Sequence, residues 1–180
     1  VAKGARKVYA GARDTSTLQD LTKAHSGIVE SIELDITDHS AVARAATACN
    51  DVELLINNAG INHNTALIAV ESLDNARAEM ETNYFGTLAM CRSFAPVLRS
   101  NGGGCIVNML SVVSRVTLPL MGSLCASKAA ALRLTEGVRA ELAAQNTTVI
   151  AVMPGAVDTQ MTKDFPPPKM PTKEVAQAVM

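Results

Sequence analysis

Short apolar or β-branched segments alternate along this chain with longer segments rich in alanine, leucine, arginine and glutamate. The short segments have the length of buried strands, and the longer ones have helical composition and spacing. Alternation of strand and helix predicts a parallel sheet, because each helix returns the chain to the start of the next strand. We therefore expect an α/β fold, with a doubly wound parallel sheet between two layers of helices (α/β/α).

The predicted elements cover most of the 180 residues. Strands are predicted at residues 7–11, 28–33, 52–56, 105–109 and 148–152. Helices are predicted at residues 15–25, 40–50, 73–100 and 124–145, and a further one begins within 172–180. Asp14 and Asp38 are predicted N-caps, and residues 101–104 are predicted to end the third helix. Since no repeat or linker interrupts the pattern, residues 1–180 are predicted to form a single domain.

Composition argues against several classes of protein. With 48% hydrophobic and 18% charged residues, the chain has material for a large core and is too poor in charge for disorder. The formal net charge is −1 and the basic residues are scattered, so we expect no nucleic-acid or membrane partner. Without a membrane span or secretory leader, a cytoplasmic location is expected. The four cysteines form no C-x-x-C pair and lack histidines at zinc-ligand spacing, so no metal site is predicted.

Polar or glycine residues follow each predicted strand. In a doubly wound sheet, ligands bind beyond the carboxyl ends of the strands. The residues at these positions are Arg13 and Asp14, Asp35, the Asn57-Asn58-Ala59-Gly60 segment, Ser111, and Pro154-Gly155. Each of them alone is more typical of a turn or a helix cap than of a ligand site. Together, polar or glycine residues at the ends of all five predicted strands favour a ligand-binding cleft.

Over nearly its whole length, the sequence resembles the short-chain dehydrogenase/reductase family. The motifs that carry the resemblance are Leu34-Asp35, Asn57 to Gly60, Asn83 in Asn-Tyr-Phe-Gly, Ile106-Val107-Asn108 leading to Ser111, Ala126-Ser127-Lys128, and Pro154-Gly155 with Val157 and Thr159. The resemblance implies a Rossmann-type fold and an oxidoreductase that uses a nicotinamide cofactor.

The resemblance also implies roles for individual residues. Ser111 would hydrogen-bond a substrate carbonyl, Lys128 would hold the nicotinamide ribose hydroxyls, and Asn83 would position a water that joins Lys128 to a proton relay. The implied cofactor-binding residues are Arg13, Asp35, Ile36, Asn57, Ala59, Gly60, Lys128, Pro154, Gly155, Val157 and Thr159.

Arg13 bears on the choice of cofactor. In the resembled family, a basic residue after the second strand accommodates the 2′-phosphate of NADP, whereas an acidic one selects NAD. A guanidinium can contact a phosphate through two hydrogen bonds, so NADP(H) is expected, with NAD(H) as the alternative. Arg13 could instead pair with Asp14 or face solvent.

The first departure from the family lies at the start of the chain. The glycine-rich phosphate-binding turn and the strand before it would precede Gly4, and they are absent from the sequence. That strand normally lies between the strands predicted at residues 7–11 and 52–56, and its loss leaves two unpaired edges. The resemblance also implies a last strand, which would follow Met180. We therefore expect the domain to be incomplete at both ends, as a fragment of a longer chain.

The second departure lies at the catalytic centre. The family places a tyrosine four residues before the lysine and a serine thirteen residues before that tyrosine; this spacing selects Ser111 but puts Leu124 at the tyrosine position. Leucine has no proton to exchange, and neither Tyr9 nor Tyr84 is placed by sequence to replace the missing phenol. Cys125 is turned about 100° around the helix and is interpreted as packing. Losing the tyrosine should cost roughly 10²- to 10⁴-fold in rate.

Two functions remain open from the sequence. One is an NADP(H)-dependent oxidoreductase acting on a small carbonyl or alcohol, impaired by Leu124; it is favoured by Asn83, Ser111 and Lys128. The other is a catalytically silent relative with a nucleotide-sensing or assembly role, favoured by Leu124. A homodimer or homotetramer is expected, because the long third and fourth predicted helices carry more apolar residues than one sheet-facing stripe needs.

Overall fold

The computed structural model describes residues 4–180, in which five strands alternate with helices. The strands are β1 (Val8–Ala12), β2 (Val29–Glu33), β3 (Leu54–Asn57), β4 (Gly104–Met109) and β5 (Thr147–Val152). The α-helices are α1 (Gln19–Ala24), α2 (His39–Ala48), α3 (Asp74–Met80), α4 (Thr87–Ser100), α5 (Gly122–Leu142) and α6 (Thr172–Val179). The strands thus lie within about two residues of their predicted bounds.

All neighbouring strands are parallel, and they form two sheets. β1 pairs with β2, and β4 lies between β3 and β5. The predicted fold class is confirmed: parallel sheets flanked by helices in a Rossmann-type fold. Instead of the single expected sheet, however, β1 and β3 share no backbone hydrogen bond in the described part of the chain. The break falls between the two strands that the sequence analysis separated by a further strand.

One hydrophobic core joins the two sheets. Val42 of α2, Leu98 of α4 and Ile106 of β4 are completely buried in it. Tyr9 of β1 and Ile32 of β2 pack against the same cluster. The two sheets are therefore held together by side-chain packing, although no strand pairing connects them.

Two helix starts agree with their predicted caps. The Asp14 side chain accepts a hydrogen bond from the Ser16 amide at 2.9 Å, and the Asp38 side chain accepts one from the Ser40 amide at 2.8 Å. The prediction of one α-helix over residues 15–25 is wrong in its first half, where Thr15–Leu18 forms a 3₁₀ turn before α1. The Thr17 hydroxyl donates to the Asp14 carbonyl there, and such local bonds compete with α-helical pairing.

The third predicted helix, residues 73–100, is interrupted. A π-helical segment, Glu81–Gly86, separates α3 from α4. A π turn inserts one extra residue into a helix and frequently marks a functional site. The predicted stop is confirmed, because α4 ends at Ser100 and Gly102 to Gly104 all have positive φ.

The last two helices nearly keep their predicted positions. α5 begins two residues earlier than predicted and continues into a 3₁₀ turn at Ala143–Gln145. α6 begins at Thr172, within the segment where a further helix is expected to start. None of the helices in residues 4–180 combines the length and the apolar character needed to cross a bilayer.

Candidate active site

The loop after β3 meets the π-helical segment between α3 and α4 and the first turns of α5. A Cβ atom added to Gly60 would lie 3.1 Å from Asn83 Oδ1 and 3.3 Å from Lys128 Nζ. Both contacts are tighter than ordinary packing, so any side chain at position 60 would press on these two polar groups. The structure therefore brings three predicted site residues together at the carboxyl edge of the β3–β5 sheet.

Asn83 lies within the π-helical segment and is 2% exposed. Its amide oxygen accepts a hydrogen bond from the Ile61 backbone N–H at 2.9 Å, and its amide nitrogen donates to the Ile61 carbonyl at 3.0 Å. The same nitrogen donates to Ser127 Oγ at 3.0 Å. These three bonds fix the side chain between the β3 loop and α5.

Lys128 extends from α5 toward the end of β4. Its Nζ donates a hydrogen bond to the Met109 carbonyl at 2.9 Å. Burial lowers the pKa of Lys128 to about 8, since an apolar environment disfavours the charged ammonium. The amine can therefore act as a hydrogen-bond donor in either protonation state.

Ser111 follows β4 and begins the 3₁₀ turn Val112–Ser114. Its hydroxyl donates to the Pro154 carbonyl at 3.4 Å and accepts from the Val113 N–H at the same distance. The Pro154 carbonyl also accepts from the Val112 N–H at 3.0 Å. These contacts tie the loop after β4 to the loop after β5. Both Ser111 bonds are long, so a stronger partner could replace them.

Leu124 is buried, at 5% exposure, in the first turns of α5. It packs with Val113, Cys125 and Met121 in a small apolar cluster. The neighbouring Cys125 is also buried, and its sulfur accepts a hydrogen bond from the Leu118 N–H at 3.5 Å. No proton-exchanging group therefore occupies position 124, and the contacts of Cys125 agree with its interpretation as packing.

Asp35 and Ile36 form the turn after β2. One oxygen of the Asp35 carboxylate accepts from the Thr37 N–H at 2.9 Å and from the Thr37 hydroxyl at 2.7 Å. These bonds lower the pKa of Asp35, the backbone one most, and the charge of Arg13 adds to the effect. Ile36 packs against Gly86, where an added Cβ would lie 2.7 Å from Ile36 Cδ1. Arg13 is exposed, and no ion pair joins it to Asp14 in the described residues.

The side chain of Asn57 points into the core instead of the cleft. Its amide nitrogen donates to Asn108 Oδ1 at 2.8 Å, and Asn108 in turn donates to the Thr135 hydroxyl at 2.9 Å. Asn57 is 9% exposed, whereas the following Ala59 is exposed. Only the backbone of Asn57 is therefore available to a ligand.

The loop after β5 contains the remaining predicted cofactor residues. Pro154 and Gly155 come directly after β5. Val157 pairs with Met170 in an isolated parallel bridge, and Thr159 caps the 3₁₀ turn Gln160–Thr162. These bonds close residues 157–170 into a flap beside the end of β5.

Three residues that the sequence analysis did not propose for the site contribute to it: Ser127, Met109 and Ile61. Ser127 is completely buried and connects Asn83 to the Leu124 carbonyl, to which its hydroxyl donates at 2.9 Å. The position of Ser127 next to Lys128 in the sequence indicates that it lies near the site, but its hydrogen-bond partner Asn83 cannot be identified from the sequence. Met109 and Ile61 act through backbone atoms, which carry no sequence signal.

Known proteins resemble this chain in sequence and in fold. The family model for short chain dehydrogenases matches residues 1–169. The chain belongs to the short-chain dehydrogenase family. A short-chain dehydrogenase from Burkholderia cenocepacia J2315, solved in complex with NADP, is 52% identical, with a TM-score of 0.94 over 99% of this chain and 73% of that one.

Curated members of the family are more distant. The short chain dehydrogenase mpl6 of Monascus purpureus is 35% identical over 139 residues, which are 75% of this chain and 48% of the relative. The dehydrogenase/reductase SDR family member 7B of Bos taurus is 30% identical over 174 residues, covering 89% of this chain and 53% of the relative. The chain thus spans about half the length of these relatives.

Proposed function

We propose that this short-chain dehydrogenase is an NADP(H)-dependent oxidoreductase that interconverts a carbonyl and an alcohol on a small molecule. The observation that carries the proposal is the meeting of Gly60, Asn83 and Lys128 at the carboxyl edge of a parallel sheet. In open α/β sheets this edge is where nucleotides bind. Ser111, on the next strand end, is proposed to hydrogen-bond the substrate carbonyl.

The residues at this edge suit a nucleotide ribose. Gly60 leaves space beside the Lys128 amine that any side chain would fill. An ammonium has three N–H donors, and Nζ donates one hydrogen bond within the described residues, so two donors remain for ribose hydroxyls. A bound nicotinamide would supply hydride transfer. Further cofactor contacts are proposed for Asp35, Ile36, the Asn57 backbone, Ala59, Pro154, Gly155, Val157 and Thr159.

Two observations support NADP(H) over NAD(H). The 52% identical relative from Burkholderia was solved with NADP. Arg13 is exposed directly after β1, where its guanidinium is free to form a bidentate contact with a 2′-phosphate. Asp14, the acidic residue beside it, has its carboxylate occupied by the Ser16 N–H.

The cofactor proposal is tested by calorimetric titration of the chain with NADPH and NADH. The Arg13→Ala substitution should weaken NADPH binding about 10- to 100-fold, because it removes charge-assisted hydrogen bonds to the 2′-phosphate. NADH binding should be unchanged. Arg6→Ala is the matched control, because it removes the same charge at the other end of β1. Equal affinities for the two nucleotides, or equal losses in both variants, would contradict the assignment.

The proposed activity is reduced by Leu124, which supplies no proton. Leu124→Tyr should raise NADPH-dependent reduction of a panel of aromatic aldehydes and ketones roughly 10²- to 10⁴-fold. Leu124→Phe is the matched control, since it adds the ring without the hydroxyl. If the tyrosine variant is no faster than the phenylalanine variant, a phenol at this position does not contribute.

The second candidate is a catalytically silent, nucleotide-sensing relative. It is favoured by the packing of Leu124 among Val113, Cys125 and Met121, because this packing fills the position with apolar atoms. The same assay separates the candidates. Activity in the Leu124→Tyr variant alone would identify the native chain as silent, whereas measurable native turnover would exclude this candidate.

A homodimer or homotetramer through α4 and α5 is proposed as the assembly. Phe85, in the π-helical segment directly before α4, is 45% exposed and stacks edge-on against Tyr84, with 4.9 Å between the ring centroids. An exposed aromatic ring next to long helices is typical of an interface. Light scattering at micromolar concentration should give at least a dimer, and Phe85→Glu should reduce it to a monomer. A monomeric native chain would contradict the proposal.

A further inference from the structure

Among the described residues, the amine of Lys128 has no ionic partner of the kind that Lys7 and Lys169 have. Lys7 Nζ lies 3.3 Å from the Glu30 carboxylate, and Lys169 Nζ lies 3.8 Å from the Asp158 carboxylate. Around Lys128, the described residues place no carboxylate within 4.0 Å, and the Met109 carbonyl is its hydrogen-bond acceptor. Within the part of the chain that the structure describes, no negative charge therefore stabilises the protonated form of this nitrogen.

This environment changes which form of the amine is present. Burial lowers the pKa of Lys128 to about 8, so roughly a quarter of the amines are neutral at about pH 7.5. For a solvated lysine the neutral share is about 0.1%. The neutral amine, with its free electron pair, is the nucleophilic form, and desolvated lysines form Schiff bases with carbonyl compounds in this way.

The surroundings of the Lys128 amine leave space for a small molecule beside Nζ. Gly60 offers no side chain beside Nζ, as the added Cβ at 3.3 Å shows. One helical turn before Lys128, Leu124 packs in its own apolar cluster and provides neither a hydrogen-bond donor nor an acceptor at that position. Lys128 is also only half-buried as a whole residue, so a small molecule in the cleft can reach it.

We propose that Lys128 is a covalent carbonyl-binding site, whose amine reversibly forms an imine with a small aldehyde or ketone. The nitrogen lone pair forms the C–N bond while the carbonyl π pair moves to oxygen, and proton transfer gives a neutral carbinolamine. Breaking the C–O bond then releases water and leaves the C=N bond. No oxidant or reductant is needed, and hydrolysis reverses the reaction. This activity is additional to hydride transfer.

The test is reductive trapping with propanal and sodium cyanoborohydride at about pH 7.5, followed by peptide mass mapping. Cyanoborohydride delivers hydride to the imine carbon and leaves a stable propyl group on the nitrogen. Lys128 should be labelled at least about tenfold faster than Lys23, an exposed lysine on α1, since its neutral share is far larger. Labelling of Lys128 at or below the rate of Lys23 would overturn the proposal.

Two variants serve as matched controls. Lys128→Arg should remove the fast phase of labelling, because a guanidinium does not form imines, and Lys23→Arg should leave it unchanged. Since the comparison between the two lysines is made within the native chain, the result does not depend on the variants folding. A fast phase that persists in Lys128→Arg would assign the reactivity to another residue and contradict the proposal.

The experiment contains no nucleotide, so it is separate from the test of the oxidoreductase. NADPH binding is measured by titration, and labelling is measured by mass. Fast labelling of a chain that does not bind NADPH would support the imine site and contradict the proposed cofactor. Binding of NADPH without fast labelling would contradict the imine site alone.

Discussion

Glu79 is a carboxyl group with almost no access to solvent. It lies on α3 with 0% exposure, and its Oε1 accepts a hydrogen bond from the His63 N–H at 2.7 Å. Its Oε2 has no hydrogen-bond partner among the described residues. One turn later, Asn83 holds the Ile61 backbone of the same loop. Glu79 therefore acts as a second anchor for the loop that carries Gly60.

Two substitutions of Glu79 should separate the effect of its hydrogen bond to the His63 N–H on stability from the effect of its side-chain volume. Glu79→Gln keeps an oxygen that can accept from the His63 N–H, so its free energy of unfolding should stay within about 1 kcal/mol of the native value. Glu79→Leu keeps a similar volume but leaves that N–H unpaired, which costs about 1–3 kcal/mol. Urea unfolding measures both. Equal stability of the two variants would show that the bond is not important.

At the residue scale, the sequence was informative where a side chain acts on its near neighbours. Asp14 and Asp38 were predicted as caps because they act within two residues along the chain. Asn57 is predicted as a cofactor-binding residue, and the sequence does not indicate that its side chain bonds to Asn108, 51 residues away. Such long-range pairs depend on sheet register, which residue spacing alone does not define.

The turn between α4 and β4 depends on glycine for two different reasons. Gly103 has φ of +112°, and an added Cβ would lie 2.1 Å from the Asn146 carbonyl oxygen. Gly102 has φ of +88° with nothing within 4 Å. Position 103 therefore combines a strained backbone with a steric clash, whereas position 102 has the strain alone.

Three alanine substitutions should consequently give a graded series of stabilities. Gly103→Ala should lose about 2–5 kcal/mol, the sum of backbone strain and overpacking. Gly102→Ala should lose about 1 kcal/mol from strain alone. Gly137→Ala, inside α5 and facing open space, should gain about 0.5–1 kcal/mol. Thermal unfolding ranks the variants, and a loss at position 102 equal to that at 103 would disprove the clash.

At the element scale, periodicity predicted the helices well but not the π-helical segment Glu81–Gly86. Its residues have ordinary helical spacing, and the extra residue is accommodated by tertiary contacts. Gly86 lies against Ile36, from the turn after β2, and Asn83 bonds to Ser127 on α5. Contacts with residues 44 and 50 positions away thus determine this local geometry, and a local pattern cannot reveal them.

At the scale of the whole molecule, the two sheets differ in how well their strands are paired. β4 has a neighbour on each side, and Ile106, Val107 and Asn108 are at most 2% exposed. β1 and β2 pair only with each other within residues 4–180. They are joined to the rest by core packing and by the Tyr9 hydroxyl, which donates to Asp51 at 2.8 Å.

Native-state hydrogen exchange should therefore resolve two levels of protection. The β4 amides should exchange at least about tenfold more slowly than those of β2, because local opening of the two-stranded sheet breaks fewer contacts. Tyr9→Phe, which removes the bond to Asp51, should speed exchange in β1 and β2 and leave β4 unchanged. Uniform protection across all five strands would mean that the sheets open as one cooperative unit.

The paired asparagines near the carboxyl ends of β3 and β4 also bear on how the chain avoids misfolding. Asn57 and Asn108 occupy the same rung of the β3–β4 ladder, and Thr135 of α5 completes their hydrogen bonds. A slip of one residue would turn one of the two amides to the opposite face and separate it from its partner. Each orphaned amide costs about 1–3 kcal/mol in a dry interior. A strand with apolar residues alone would tolerate such a slip. The two asparagines therefore favour the native register of β3 and β4 over shifted ones.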